Sequence, residues 1–368
     1  MLPRPRYLLS ICIFAVTLTA LIATGCARLG DPAIDLADLL PAEEAAPEAP
    51  PAPPTGPVVG LLDGVFLSDE EAAELEGRVP VAVMIDNLPG QSRPQIGLDR
   101  ADLVYEFLVE GGITRFMAVY LRQEADWIEP VRSVRTPSAI LAKELGALVG
   151  YVGAAEMDGA ADAARQIAEW GVPAIDGDAD RTPFWRDPRR RAPHNMVTST
   201  RALRTRAGEF GWPSPEPAAS WRFQEDHSEG PSNGPARALS YGFALRTPAL
   251  PAFNAAWSYD PAANAYVRSM AGRLHTDGRT SAPLTAKNVV VEFHRASVVD
   301  RDGHVVYDQV GEGAAWVFRD GQVIEAVWAK RSTEDRTRYW ATNGEEIALN
   351  RGRTWVALVP TGSPFSWR

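Results

Sequence analysis

Two arginines three positions apart, Arg132 and Arg135, stand directly before Thr136-Pro137 and an apolar run, in the stretch PVRSVRTPSAILAKELGALVG. Thr can cap a helix and Pro suits its first turn, where the missing N–H has no acceptor to lose. The run predicts a helix that opens at Thr136-Pro137 and stops at Gly150. A helix N-terminus offers free N–H groups and the positive end of the backbone dipole. Two guanidinium forks beside it would make an anion site for phosphate, pyrophosphate or carboxylate. Arg115, at the start of a strand, can join them. The alternative is an internal ion-pair network, because Asp86, Asp102, Glu106 and Glu110 lie on neighbouring strands. Both readings hold if the pairs open when ligand arrives.

Carboxylates in this pattern can also move protons. Asp86, at the end of a buried strand, is the first candidate, although an acid beside Asn87 is also a common turn residue. Asp102 is the second. His194 is the third, and the only histidine of residues 58–211; a lone histidine more often caps or bridges structure. It closes FWRDPRRRAPHN, where Arg186, Arg189, Arg190 and Arg191 precede His194-Asn195. That cluster can meet an acidic polymer or lipid headgroups, or be a solvated loop. The ligand-binding set is thus Arg115, Arg132 and Arg135 with Asn87, Glu106, Glu110 and Asn195, and the catalytic candidates are Asp86, Asp102 and His194. No metal or cofactor is expected. The five histidines form no His-Glu-x-x-His motif, and DRDGH (Asp300 to His304) reads as a hairpin turn and not as a calcium loop. The chain has no P-loop, dinucleotide fingerprint or Gly-x-Ser-x-Gly elbow.

The elements that must position these residues divide in two. Residues 58–211 alternate strands and helices. VPVAVMID (Val79 to Asp86), ADLVYEFLVE and TRFMAVYL read as strands, the last two joined by a hairpin at Gly111-Gly112. Helices follow at Thr136, over Asp158 to Gly171 and over Thr198 to Gly211, with VPAID as a short strand between the last two. This predicts an α/β N-terminal domain with a mixed sheet. Residues 212–237, rich in Pro, Gly and Ser, read as a connector. Residues 238–368 lose the helical period, and Asp277-Gly278, Asp302-Gly303, Asp320-Gly321 and Asn343-Gly344 punctuate apolar runs, which predicts a mostly antiparallel β domain. Its Trp257, Trp316, Trp328 and Trp355 are expected in the core more than in a carbohydrate-stacking set.

The ends bear on location. Arg4 and Arg6, an uncharged apolar run and ATGC ending at Cys26 have the layout of a secretory signal, residues 1–25, with a lipobox. An uncleaved membrane anchor is the plainer alternative. Cys26 would then carry a diacylglycerol, and residues 26–57, rich in Ala, Pro and Glu, would tether the body to the outer side of a bacterial membrane. Cys12 would be lost with the signal, leaving neither a disulfide nor thiol chemistry. A net charge of −10 argues against a general nucleic-acid binder.

VAVMIDNLPGQSRPQIGLDRADLVYEFLVEGGITRFMAVYL, IEPVRSVR and RDPRRRAPHN resemble the N-terminal part of the YerB-like bacterial lipoproteins. WSYDPAANAYVRS, GRLHTDG, LTAKNVVVEF and GRTWVALVP resemble their C-terminal part. The resemblance implies an envelope-anchored, two-part protein of unassigned biochemistry; the arginine-lined helix terminus and the tethered layout add the expectation that it binds an anionic glycan, a lipid-linked precursor or an envelope protein. Its relatives carry a His and a Gly-Gly-Ser after the first helix; YVGAAEMDG here has neither, so an activity needing that histidine is not expected. A fainter similarity, Ala-Asp opening a strand and Pro with Arg before a helix, is to the LytR-CpsA-Psr phosphotransferases. Asp102 and Arg132 would match, but Ser133 stands where that family has an acid. It implies the alternative of an envelope-polymer enzyme, a phosphotransferase or hydrolase, built on the Asp/Arg cluster.

Overall fold

A computed structural model describes residues 58–155, 159–212 and 219–368. The expected signal, Cys26 and tether lie outside the described residues, as does Asp158. A short helix, α1 (Asp69–Leu75), is capped by Ser68, whose hydroxyl accepts from the Glu71 N–H while the Glu71 carboxylate accepts from the Ser68 N–H. The branched and aromatic runs then form β1 (Val81–Asp86), β2 (Leu103–Leu108) and β3 (Thr114–Tyr120). All three are buried along their whole length, so they read as near-continuous apolar runs. Gly111 and Gly112, both with positive φ, turn β2 into β3 as expected.

The helix after the arginines, α2 (Thr136–Leu145), begins one residue earlier than expected. Arg135 holds the N-cap position, and Ser138 Oγ accepts from its N–H at 3.2 Å and donates to its carbonyl at 2.6 Å. It also ends sooner, because Gly146 takes the left-handed conformation. The chain turns at once into β4 (Leu148–Tyr151), so Gly150 is a strand residue. Then come α3 (Ala163–Glu169), β5 (Ala174–Asp176), the short pair β6 (Trp185–Arg186) and β7 (Met196–Val197), and α4 (Thr200–Glu209), capped by Ser199. Leu203 of α4 presses on Gly150, where an added Cβ would stand 2.6 Å from its Cδ1.

The C-terminal part carries β8 (Phe223–Gln224), β9 (Ala238–Tyr241), β10 (Ala255–Asp260), β11 (Ala265–Met270), β12 (Arg273–Leu274), β13 (Thr285–Ala286) and β14 (Asn288–His294). β15 (Ala296–Val298), β16 (Val305–Tyr307), β17 (Gly311–Arg319), β18 (Gln322–Lys330) and β19 (Arg338–Ala341) follow, then β20 (Leu349–Asn350), β21 (Thr354–Pro360) and β22 (Phe365–Trp367). Asp320-Gly321, both with positive φ, make the two-residue turn between β17 and β18. Asp302-Gly303 lies in a longer loop, and neither Asp277 nor Gly278 has positive φ. Trp257, Trp328 and Trp355 are core residues, and Trp316 is half-buried.

The fold is α/β with a mixed sheet in its first half and strand-rich in its second. The segments on either side of the expected connector share one sheet, in the order β19-β18-β17-β14-β21-β2-β3-β1-β4-β5. The join is β21, parallel to β2 on one side and to β14 on the other. A second sheet, ordered β12-β11-β10-β9-β22, supplies Tyr241, Trp257 and Tyr266 to the shared core.

Candidate functional site

β1 and β4 run parallel but pair only through Val81–Val83. Beyond that they part, and residues 130–134 enter between them. Asp86 N–H donates to the Pro130 carbonyl, Arg132 N–H to Met84, and Val152 N–H to Arg132. A split at the carboxyl ends of parallel strands is where open α/β sheets hold ligands. The segment places Arg132, Ser133 and Arg135 beside the end of β1, ahead of α2.

Asp86 is cross-strand partner to Arg115 of β3, so both side chains leave the same face. Its Oδ1 accepts from Asn87 N–H at 2.9 Å. Its Oδ2 accepts from Ser92 Oγ at 2.5 Å and meets His194 Nδ1 at 2.6 Å, with Arg132 Nε at 3.7 Å. Burial raises its pKa, but the Ser92 hydrogen bond, Arg115, His194 and Arg132 more than offset that and hold it below the ordinary value. An ionised carboxylate only accepts, so His194 Nδ1 carries a proton toward Asp86, and Nε2 is an acceptor whenever the ring is neutral. Nε2 has no hydrogen-bond partner among the described residues. Ser92 Oγ also approaches His194 on the Nδ1 side, at 3.3 Å, so these three residues are not a nucleophile–base–acid relay.

Arg115 is 3% exposed. It donates to the Ser133 carbonyl at 2.8 Å and faces Glu110 at 3.5 Å, while its Nε has no acceptor. Burial, then the neighbouring Arg135, bring its pKa down to about 10. Arg135 takes both oxygens of Glu110, at 2.8 and 2.5 Å, and the Val134 carbonyl at 2.7 Å. Burial raises Glu110, but the Arg135 hydrogen bond and the charges of Arg115 and Arg135 outweigh it and leave its pKa at about 2. Arg132 differs. Its side chain is 26% exposed, its only ion pair is the long one to Asp86, and its guanidinium makes no hydrogen bond among the described residues. Three guanidinium groups stand against two carboxylates here, so one positive charge is uncompensated.

The other expected residues sit elsewhere or are already engaged. Asn87 donates to Thr114 Oγ1 at 2.6 Å and accepts from Gln95 and Arg93 at 2.9 and 2.8 Å. Asn195 ties the β6–β7 loop, donating to the Asp187 carbonyl at 3.1 Å and accepting from Arg186 at 2.6 Å. Asp102 lies at the start of β2, which runs parallel to β1, and so at the opposite end of the sheet from Asp86. It accepts from Leu121 and Arg122 N–H at 2.7 and 2.9 Å. Glu106 faces away from the arginines, because Phe107, not Glu106, is the cross-strand partner of Arg115. Its carboxylate is held by Arg268 at 2.8 and 2.9 Å and by the Tyr241 hydroxyl at 3.0 Å, under Trp355.

Ser92 and Gln95 were not legible as site residues. Gln95 donates to the Asp86 carbonyl at 3.0 Å and to Asn87 Oδ1, and its own Oδ-equivalent, Oε1, meets His275 Nε2 at 2.9 Å. His275 accepts from Arg268 at 3.2 Å, and burial, then Arg268, push its pKa well below the usual value. A polar chain thus leads from Asp86 through the sheet to Glu106. The one available signal was the cluster of polar residues in NLPGQSRPQ, after a strand end. Among the described residues no group of three or more His, Cys, Asp or Glu could hold a metal ion, and no helix is long and apolar enough to cross a membrane.

Residues 67–213 match the N-terminal domain of a protein of unknown function (DUF3048), and residues 247–356 match the C-terminal domain of the same family. The chain is 28% identical over 284 residues to the putative lipoprotein YerB of Bacillus subtilis (strain 168), covering 77% of this chain and 82% of that protein. The crystal structure of the Bacillus subtilis YerB protein superposes with a TM-score of 0.71 at 27% identity, over 84% of this chain and 99% of that one.

Proposed function

Because the chain belongs to the two-part YerB-like family, we propose that it is a lipid-anchored protein of the bacterial cell envelope whose body binds an anionic ligand at Arg132. The lipid anchor is read from Cys26 and its preceding signal, and from the name of the relative. The observation that carries the binding site is the Arg132 guanidinium: about a quarter open to solvent, at a sheet split, and without a hydrogen bond of its own among the described residues. Arg115 and Arg135 are neutralised by Glu110 and the backbone, so they set the local potential and leave Arg132 to make the contact.

Thermal unfolding of the full-length protein with and without pyrophosphate tests this. A ligand at about 100 times its Kd adds about 2.7 kcal/mol to the folded state, a rise of several degrees in Tm. Arg132→Gln breaks no hydrogen bond, so the unliganded Tm should hold while the rise vanishes. A parent protein that shows no rise, or a variant that keeps it, would refute the site.

A second reading is favoured by the unengaged Nε2 of His194, oriented by Asp86 at 2.6 Å. That nitrogen can take a proton from a water whose oxygen attacks the bound ligand's phosphoryl centre; the leaving oxygen departs with the bonding pair and receives that proton. His194→Gln would then abolish release of phosphate from a pyrophosphate ester while leaving its binding intact. If the parent releases none, binding alone remains.

A further inference from the structure

We propose that the β6–β7 hairpin extends the Arg132 site into a track for a linear polyanion bearing phosphate groups. The proposal rests on the anion reading of Arg132 for where the track ends, and adds the class of ligand.

The charge is segregated. The chain carries −10 overall, yet the stretch from Arg181 to Asn195 holds five arginines, Arg181, Arg186, Arg189, Arg190 and Arg191, and one acid, Asp187; from outside it Asp178 pairs with Arg181 and Glu129 with Arg190. Asp187 is buried, while Arg186, Arg189 and Arg191 are exposed. Arg189 keeps 71% of its side-chain surface open while paired with Asp187 at 2.9 Å. The Arg191 guanidinium has no partner among the described residues. In an acidic body, a loop with this local excess of cations attracts polyanions and steers them to it.

The loop is also fixed in place. Asp187 N–H donates to the Asn195 carbonyl at 2.9 Å, Asn195 Nδ2 to the Asp187 and Arg190 carbonyls, and His194 N–H to Arg191. Arg190 is turned inward, donating to the Ser92 and Pro94 carbonyls at 2.9 and 2.5 Å and facing Glu129 at 3.2 Å. This pins the hairpin to the segment that carries Ser92. A preformed surface loses less entropy on binding. Continuity with the site is direct, since Arg186 bonds Asn195, and the adjacent His194 bonds Asp86.

A bilayer is the poorer fit. No large apolar side chain between residues 181 and 195 is exposed, so the loop has nothing to insert beside the headgroups. A chain of repeated charges needs only the guanidinium groups, and its length lets several engage at once.

The test titrates the full-length protein in detergent with long-chain inorganic polyphosphate, with pyrophosphate and with anionic phospholipid vesicles. Polyphosphate should bind at least tenfold more tightly than pyrophosphate at low salt. Arg189→Gln/Arg191→Gln should weaken polyphosphate about tenfold or more and flatten the slope of log K against log salt by about 1.5 to 2. Pyrophosphate binding should be unchanged in that variant, and the unfolding temperature should show that it is folded. A double variant that holds polyphosphate like the parent, or vesicles that bind through the same two arginines as strongly as the polymer, would overturn the proposal. Polyphosphate binding through the hairpin without any pyrophosphate binding would remove the Arg132 reading and leave the track.

Discussion

Asp86 and Asp102 are both almost fully buried aspartates at strand ends, yet their surroundings push them in opposite directions. Asp86 meets a hydroxyl, a histidine and two guanidinium groups and is held below the ordinary range. Asp102 is raised to about 6, by burial first and then by Asp63, and its Oδ1 has no partner. An acid with a raised folded pKa binds more protons folded than unfolded between its unfolded value, about 3.9, and about 6. Stability from this group is therefore complete below pH 4 and is lost as pH rises through 6. Asp102→Asn removes that loss and keeps an oxygen for the Leu121 and Arg122 N–H groups. The variant should exceed the parent at pH 7.5 by on the order of 1–3 kcal/mol, and the advantage should be gone at pH 4. Chemical denaturation at the two pH values decides it; a variant weaker at pH 7.5 would mean that the ionised form is the one this pocket favours.

At the scale of elements, β1 to β3, the Gly111-Gly112 turn and the helix after Arg135 were all legible, because each has a local cause in branched residues, positive φ or a capping pattern. What joins them was not. Register decides whether Glu106 or Phe107 faces Arg115, and one residue's slip exchanges the two faces of a strand. Both acids of VYEFLVE looked equally close to the arginines, yet Glu110 reaches them and Glu106 belongs to Arg268. The entry of residues 130–134 between β1 and β4 has no periodic signature, since IEPVRSVR alternates neither as strand nor as helix. His194 was recognised as a candidate for its chemistry; its contact with Asp86, 108 positions away, came from the hairpin that follows β5. Ser92 had no signal beyond standing in a polar loop.

For the whole molecule, the proposed anchor has its own check. Cys26→Ala should move the protein from the membrane fraction to the soluble one and remove the mass of a diacylglyceryl group, measured by fractionation and intact-mass spectrometry. A variant that stays in the membrane fraction would point to an uncleaved apolar segment as the anchor. The body itself has a constraint written into its topology. β21 lies between β2 and β14, and its contacts with β2 join residues about 250 positions apart, a non-local pairing of the kind that slows folding. Until Thr354–Pro360 is in place, β2 has one bare edge, a template for pairing with the wrong chain. A chain cut before Thr354 lacks β21 and should therefore give an aggregation-prone product and not a smaller folded one, which size-exclusion chromatography of the truncated protein would check.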